Sequence, residues 1–335
     1  MDLNRVTRRA AFATLAAAAA TTGVRGNRAA AQQRPALDRP ARIIVGFPPG
    51  GSTDTVARLY AERLRGRYAP QVIVENRAGA GGRLGVEAVK AAQPDGTTLL
   101  LTPGSILTIY PHIYPRTLRY DALTDFVPAT PVCTSAYAFT VRADHPARDL
   151  AGFVAWARGQ REALPFASPA AGSIPHFVGV KMARTLGVQL THVPYRGTAP
   201  ALQDLIGGQI QAAMLLVGEV AEFHRSGQIR ALAVSPAERL PGLPDLPTFA
   251  ELGQPDLTAE EWFGVLLPAR TPAPLVEGLH RAIVAVAGTP ELQEALARLE
   301  YRAVTSSPEE FTGRIRAERE HWAPVVRESG FRPEE

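Results

Sequence analysis

Cysteine is all but absent: Cys133 is the only one in 335 residues. That excludes an intrachain disulfide and a cysteine-built metal cage, and it excludes a lipidated cysteine at the end of a leader. Cys133 itself reads as a small core residue. Lysine is nearly missing as well. Lys90 and Lys181 stand alone among 36 basic side chains, the rest being arginine. The seven histidines form no H-x-x-x-H pair, so the helical zinc spacing is lacking. No segment after the first 31 residues reaches 18 consecutive apolar side chains, the length a membrane-spanning helix needs. Surplus charge is lacking too. The formal net charge of +4 belongs to residues 1–31, where five arginines face Asp2, and the remainder holds 31 basic and 31 acidic groups. Nothing is left to drive nonspecific attraction to nucleic acid or to an anionic membrane.

What the first 31 residues do contain is an export signal. "MDLNRVTRR" is a basic opening, "AAFATLAAAAATT" is an apolar stretch too short to span a bilayer, and "RAAA" before Gln32 is a small-residue cleavage site. Arg8-Arg9 fits the twin-arginine route, and the general secretory route stays open. The mature chain is therefore expected in the periplasm.

From residue 41 onward, strand-like runs alternate with helix-period segments. The strands read as 42–47, 71–76, 97–102, 136–141, 190–195, 210–215, 229–234 and 263–269. Helical spacing runs over 54–66, 83–92, 149–159, 173–186, 199–207, 275–287, 291–300 and 308–321. Such alternation predicts an α/β fold with largely parallel sheets. Ser307-Pro308-Glu309-Glu310 and Ser235-Pro236-Ala237-Glu238 both have the capping-box form that opens a helix.

Four turns carry the chemistry. "GFPPGGSTD" (46–54), "NRAGAGGRLG" (76–85), "FASPAAGSIPH" (166–176) and "VPYRGTAP" (193–200) each follow an apolar run and lead into a helix. A helix start offers unfilled N–H groups and partial positive charge, so each turn is a potential anion cradle. Several in one chain, divided between its halves, point to a ligand clamped between two lobes. Enzyme motifs fail one by one. Gly51-Ser52-Thr53 lacks the lysine of a Walker loop. The run 79–85 spaces its glycines one residue too widely for a dinucleotide fingerprint, and no G-x-S-x-G elbow occurs. Without a nucleophile, base and oxyanion hole in view, binding is favoured over turnover, and no cofactor or metal is expected.

These segments resemble one family, the solute-binding proteins of tripartite tricarboxylate transporters, also called the TctC or Bug (Bordetella uptake) family. The resemblance rests on "VGFPPGGSTDTVAR" (45–58), "VIVENRAGAGGRLGVEAVKAAQPDGTTLLL" (72–101), "YDALTDFVP" (120–128), "SPAAGSIPH" (168–176), "THVPYRGTAPALQDLIGGQI" (191–210), "GQIRALAVSPAERLPGLPDLPTFAELG" (227–253) and "EEWFGVLLPARTPAPLV" (260–276), in family order. It implies a periplasmic binding protein type II fold, with residues 35–137 plus 252–335 as lobe 1 and 138–251 as lobe 2. It also implies a monomer that takes a small carboxylate ligand to the membrane permease of a tripartite tricarboxylate transporter. The ligand-binding residues carried over are Phe47, Pro48, Pro49, Gly50, Gly51, Ser52 and Asp54 on one lobe. Opposite them stand Ser168, Gly172, Ser173, His176, Tyr195, Arg196, Gly197, Thr198 and Ala199.

Roles differ within that set. The amides of Gly50, Gly51 and Ser52 are expected to donate to the carboxylate, whereas Asp54 should cap its helix or fasten the facing loop. His176 suits either ligand contact or positioning of its loop, and Arg196 either contact or a solvated face. Two departures from the family pattern are Ala170 in "SPAAGS", where glycine is usual, and Leu215, where many relatives have an acid. Glu219 lies four residues beyond. An apolar wall at Leu215 would suit an uncharged or aromatic ligand tail. Two other readings remain at this point: a receptor that signals to a membrane sensor, and an exported enzyme acting on a small carboxylate.

Overall fold

A computed structural model describes residues 36–332; the export signal expected over residues 1–31 lies outside them. The chain runs β1 (Ala41–Val45), α1 (Ser52–Leu64), β2 (Val72–Asn76), α2 (Arg83–Lys90), β3 (Thr98–Pro103), α3 (Ser105–Thr108), α4 (Tyr110–Ile113) and the long β4 (Phe126–Arg142). It continues through α5 (Leu150–Arg158), β5 (Leu164–Ser168), α6 (Ile174–Leu186), β6 (Leu190–Pro194), α7 (Thr198–Gly207), β7 (Ala212–Leu216), α8 (Val217–Arg225) and β8 (Ile229–Val234). The last part holds β9 (Glu260–Pro268), α9 (Ala273–Ala287), α10 (Pro290–Ala297), β10 (Tyr301–Ala303) and α11 (Pro308–Ser329).

Strand β4 organises everything else. Its first part, from Phe126 to Ala136, pairs antiparallel with β9, while residues 137–142 pair with β7 and β8. On one side lie β1, β2 and β3, parallel to each other, with β3 joined antiparallel to β9. On the other side β5 lies parallel to β6 and β7. The sheets are thus mixed rather than largely parallel. Parallel pairing holds inside each βα run, and antiparallel pairing arises where β4 and β9 cross between runs.

The sequence placed only 136–141 of β4 in a strand. Pro128 and Pro131 hide the rest, because a proline cannot donate to a ladder. The strand absorbs them with register shifts at Pro128/Thr130 and Pro131/Cys133, the bulges that accommodate an unmatched residue. The Ser307 capping box forms as read. Its look-alike at Ser235 does not open a helix; residues 236–238 form a bend. The Ser235 hydroxyl instead donates to Ala259 O at 2.5 Å and accepts the Tyr137 N–H at 2.9 Å, fastening the chain where β4 passes from one sheet to the other. Cys133 is fully buried in the core, as its isolation suggested. No helix among the described residues is long and apolar enough to cross a membrane.

Candidate functional site

The first turn is built by glycine contacts. Val45 ends β1 in register with Asn76 at the end of β2, so the turns leaving these strands lie side by side. A Cβ on Gly46 would sit 2.4 Å from Gly82 O, and one on Gly85 would sit 2.6 Å from Gly46 Cα. Only glycines permit this approach. The pseudo-fingerprint at 79–85 is therefore a packing device: it carries the first turn, with the Phe47 ring against Gly82.

Asp54, 2% exposed, then locks the turn. Its Oδ2 accepts the Gly50 N–H at 2.9 Å and Arg58 Nε at 2.8 Å; its Oδ1 accepts Arg58 Nη2 at 3.0 Å and Asn76 Nδ2 at 2.8 Å. Asn76 Nδ2 also donates to Phe47 O at 3.0 Å. Burial pushes the Asp54 carboxyl up, but the bonds from Arg58, Gly50 and Asn76 outweigh it and hold it below the ordinary value. The Gly50 amide, expected to meet a ligand, is thus committed to Asp54. Pro48, Pro49 and Gly50 are exposed, and Phe47, Gly51 and Ser52 are half-buried. Helix α1 starts at Gly51 with no side-chain cap, which leaves its first amides to an outside acceptor.

On the other half, the turns after β5 and β6 are zipped together by Tyr195 N–H to Ser168 O at 3.1 Å and Gly197 N–H to Pro169 O at 2.8 Å. Three predicted ligand side chains are spent inside this pair of turns. The Ser173 hydroxyl donates to Ala170 O at 2.7 Å, the Ser168 hydroxyl donates to the same oxygen at 2.9 Å, and His176 Nδ1 accepts the Gly172 N–H at 3.1 Å. Ser168 Oγ also lies 2.7 Å from His192 Nε2; both Ser168 bonds are satisfied together when His192 is the donor. His176 stacks on His192 with ring centroids 3.7 Å apart. Burial, aided by the neighbouring His192, drives His176 down to about 3, and burial drives His192 down to about 4. Both rings are neutral near pH 7 and offer no charge to an anion. His176 Nδ1 thereby helps hold the Gly172 turn.

The remaining predicted residues sit around the same turn. Gly172 presses against Ile113 of α4, where a Cβ would lie 2.1 Å from Cδ1. The Tyr195 hydroxyl donates to Asp204 Oδ2 at 2.6 Å, Arg196 and Ala199 are exposed, and Gly197 is half-buried at φ +104. Thr198, 5% exposed, opens α7 behind Gly197.

Helix α7 likewise starts at Gly197 with no side-chain cap. Burial raises the Glu219 carboxyl on α8 above its ordinary value, and the neighbouring Thr198 side chain and Ser52 amide pull it part way back. Arg58 and Asn76 were missed by sequence reasoning. Only Arg58, four residues after Asp54, left a local signal. Leu215, expected as an apolar wall, is fully buried within the core of the second sheet and faces no open space.

A separate cavity of about 1090 Å³ lies between α6, residues 236–242, β10 and α11, and none of the sixteen predicted residues lines it. Two ion pairs lie within its own walls, Arg302–Glu260 at 3.6 Å and Arg314–Glu318 at 2.7 Å.

The family described as "Tripartite tricarboxylate transporter family receptor" matches this sequence over residues 56–331. The chain belongs to that receptor family. Among relatives of the receptor family, protein BugT of Bordetella pertussis is 35% identical over 293 residues, 87% of this chain and 90% of BugT. The solved structure of the periplasmic binding protein BugD is 31% identical with a TM-score of 0.80, covering 89% of this chain and all of BugD. The R. palustris protein Rpa4515, solved with adipate, is 31% identical with a TM-score of 0.83, covering 88% of this chain and 99% of Rpa4515. The receptor-family fold is accordingly the two-lobed α/β fold of a periplasmic binding protein, as the resemblance implied.

Proposed function

We propose that the chain is a periplasmic solute-binding protein that captures one small organic carboxylate and hands it, as a monomer, to the membrane permease of a tripartite tricarboxylate transporter. One observation carries this reading: α1 and α7, one from each half, both start without a side-chain cap. Helix N-termini with open amides suit a carboxylate without help from lysine, metal or cofactor. The relative solved with adipate agrees in ligand class. The two lobes are residues 35–137 with 252–335, and residues 138–251. Closure supplies affinity because the two half-sites meet only in the closed state, whose population the ligand raises.

The amide of Gly51, the exposed face of 47–50 and the start of α7 form the contact surface. Ser168, Ser173 and His176 hold the opposing loop in shape. The ligand is released unchanged, consistent with a receptor family. A thermal-shift series with adipate, malate, citrate and benzoate tests the reading, since a ligand that binds only the native state raises the melting temperature. At least one acid should raise it dose-dependently and be recovered intact from the complex. A shift by sugars or cations with none from any acid overturns the proposal.

A further inference from the structure

The turn between α10 and β10 is gripped by segments far from it in sequence. A Cβ on Gly218, at the start of α8, would lie 2.2 Å from Leu299 O, and one on Gly242 would lie 2.1 Å from Glu300 Oε1. The two glycines thus let α8 and residues 236–242 close directly onto residues 299 and 300. Arg225, at the end of α8, completes the socket. Its Nη2 donates to Gly242 O at 3.0 Å and to the Glu300 carboxylate, whose side chain is only 7% exposed. Glu300 sits at φ +56, a left-handed backbone that costs any residue with a Cβ and persists where its surroundings hold it. In the lobe division proposed above, Gly218, Arg225 and Gly242 belong to one lobe and residues 299–300 to the other. Tyr301, the next residue, pairs with Ser135 on β4, close to where that strand passes between the sheets. The lobes also touch at a site turn, where Gly172 presses on Ile113, so this is an arrangement with the lobes drawn together.

We propose that Arg225 and Glu300 form a latch that holds the lobes closed and raises affinity without touching the ligand. The proposal rests on the carboxylate capture and lobe closure read above. Opening withdraws α8 and residues 236–242 from the turn. That leaves the Glu300 carboxylate without Arg225 and its left-handed backbone without support. A ligand that binds the closed arrangement has its apparent affinity scaled by the population of that arrangement. Loss of the latch therefore weakens every acid by one common factor, whatever its shape or charge.

A double-mutant cycle tests it: wild type, Glu300→Gln, Arg225→Met and the double variant, each titrated calorimetrically with benzoate, adipate, malate and citrate. Every acid that binds wild type should bind either single variant about fivefold more weakly. The factor should be the same from acid to acid, and the double variant should bind no more weakly than the weaker single. Binding stoichiometry reports the folded fraction, so a variant that folds poorly loses sites rather than affinity. Unchanged affinity in the variants, losses that differ between acids, or additive losses in the double variant overturn the latch and leave the carboxylate reading standing. Absence of binding heat for all four acids with wild type overturns the carboxylate reading, and the latch falls with it.

Discussion

Asp54 and His176 illustrate how far a residue's type and its direction can differ. Both stand among residues that resemble ligand contacts, yet Asp54 spends its carboxylate on Gly50, Arg58 and Asn76, and His176 spends Nδ1 on the Gly172 N–H. Asp54 gathers four donors from Gly50, Arg58 and Asn76, and the Arg58 fork cancels its charge beside the anion site. Asp54→Asn keeps the shape but turns an NH₂ toward groups that are themselves donors. The expected loss is about 1–3 kcal/mol at pH 7, as for a buried acceptor left mismatched, read by urea denaturation. The pH dependence has a definite sign. A carboxyl held below its unfolded value of 3.8 contributes stability above that pH and loses it as pH falls toward the folded value. The gap between wild type and Asp54→Asn should therefore be full at pH 7 and shrink below pH 3.8. A gap that does not change between pH 7 and pH 3 would show that the ion pair contributes nothing.

At the scale of elements, close backbone contact decides which turns can neighbour each other. Gly46 touches Gly82 through backbone atoms alone, so a methyl group there forces the first and second turns apart. Gly46→Ala should cost about 1–3 kcal/mol, the range for overpacking, and should weaken ligand binding with it. Gly313→Ala is the control, because a Cβ there meets nothing within 4 Å in the middle of α11. That change should be neutral or stabilising by about 0.5–1 kcal/mol, the helix cost of glycine. Equal melting temperatures for the two variants would refute the packing role of Gly46. The same scale shows what the sequence could and could not disclose. Most βα units were legible, since each run of alternating apolar patterns is local. So were the four glycine-bearing turns at the strand ends. The first half of β4 was not, because its prolines contradict a strand until β9 is placed beside it. The Ser235 box misled because its hydroxyl serves Tyr137 and Ala259, partners 98 and 24 residues away.

At the scale of the whole molecule, the two sheets share β4, and a single buried carboxylate sits beside the crossing. Glu261 on β9, 4% exposed, accepts the Tyr137 hydroxyl at 2.8 Å, the Gly104 N–H at 2.9 Å, the Ser105 hydroxyl at 3.3 Å and the Ser105 N–H at 3.4 Å. Burial pushes its carboxyl up to about 7; the Tyr137 bond opposes the rise, the nearby charge of Glu318 adds to it, and the Ser105 and Gly104 amides oppose it again. The native state thus holds this proton more tightly than the unfolded chain, whose value is 4.5. Its contribution to stability is complete below pH 4.5 and is lost as pH rises through about 7. The buried His176 and His192 act in the opposite sense. Folding lowers them from 6.5 to about 3 and about 4, so between those values and 6.5 their terms favour the folded state more as pH rises. Wild-type stability across this window is therefore a sum of opposed slopes, and only a difference isolates Glu261. Glu261→Gln keeps an oxygen for the Gly104 and Ser105 amides and removes the titration, leaving the histidines as they were. Relative to wild type, the variant should gain on the order of 3 kcal/mol between pH 4.5 and pH 8, measured by urea unfolding at both values. A constant difference across that range would mean that Glu261 is already ionised in the folded protein at pH 5, and that the four donors around it outweigh its burial.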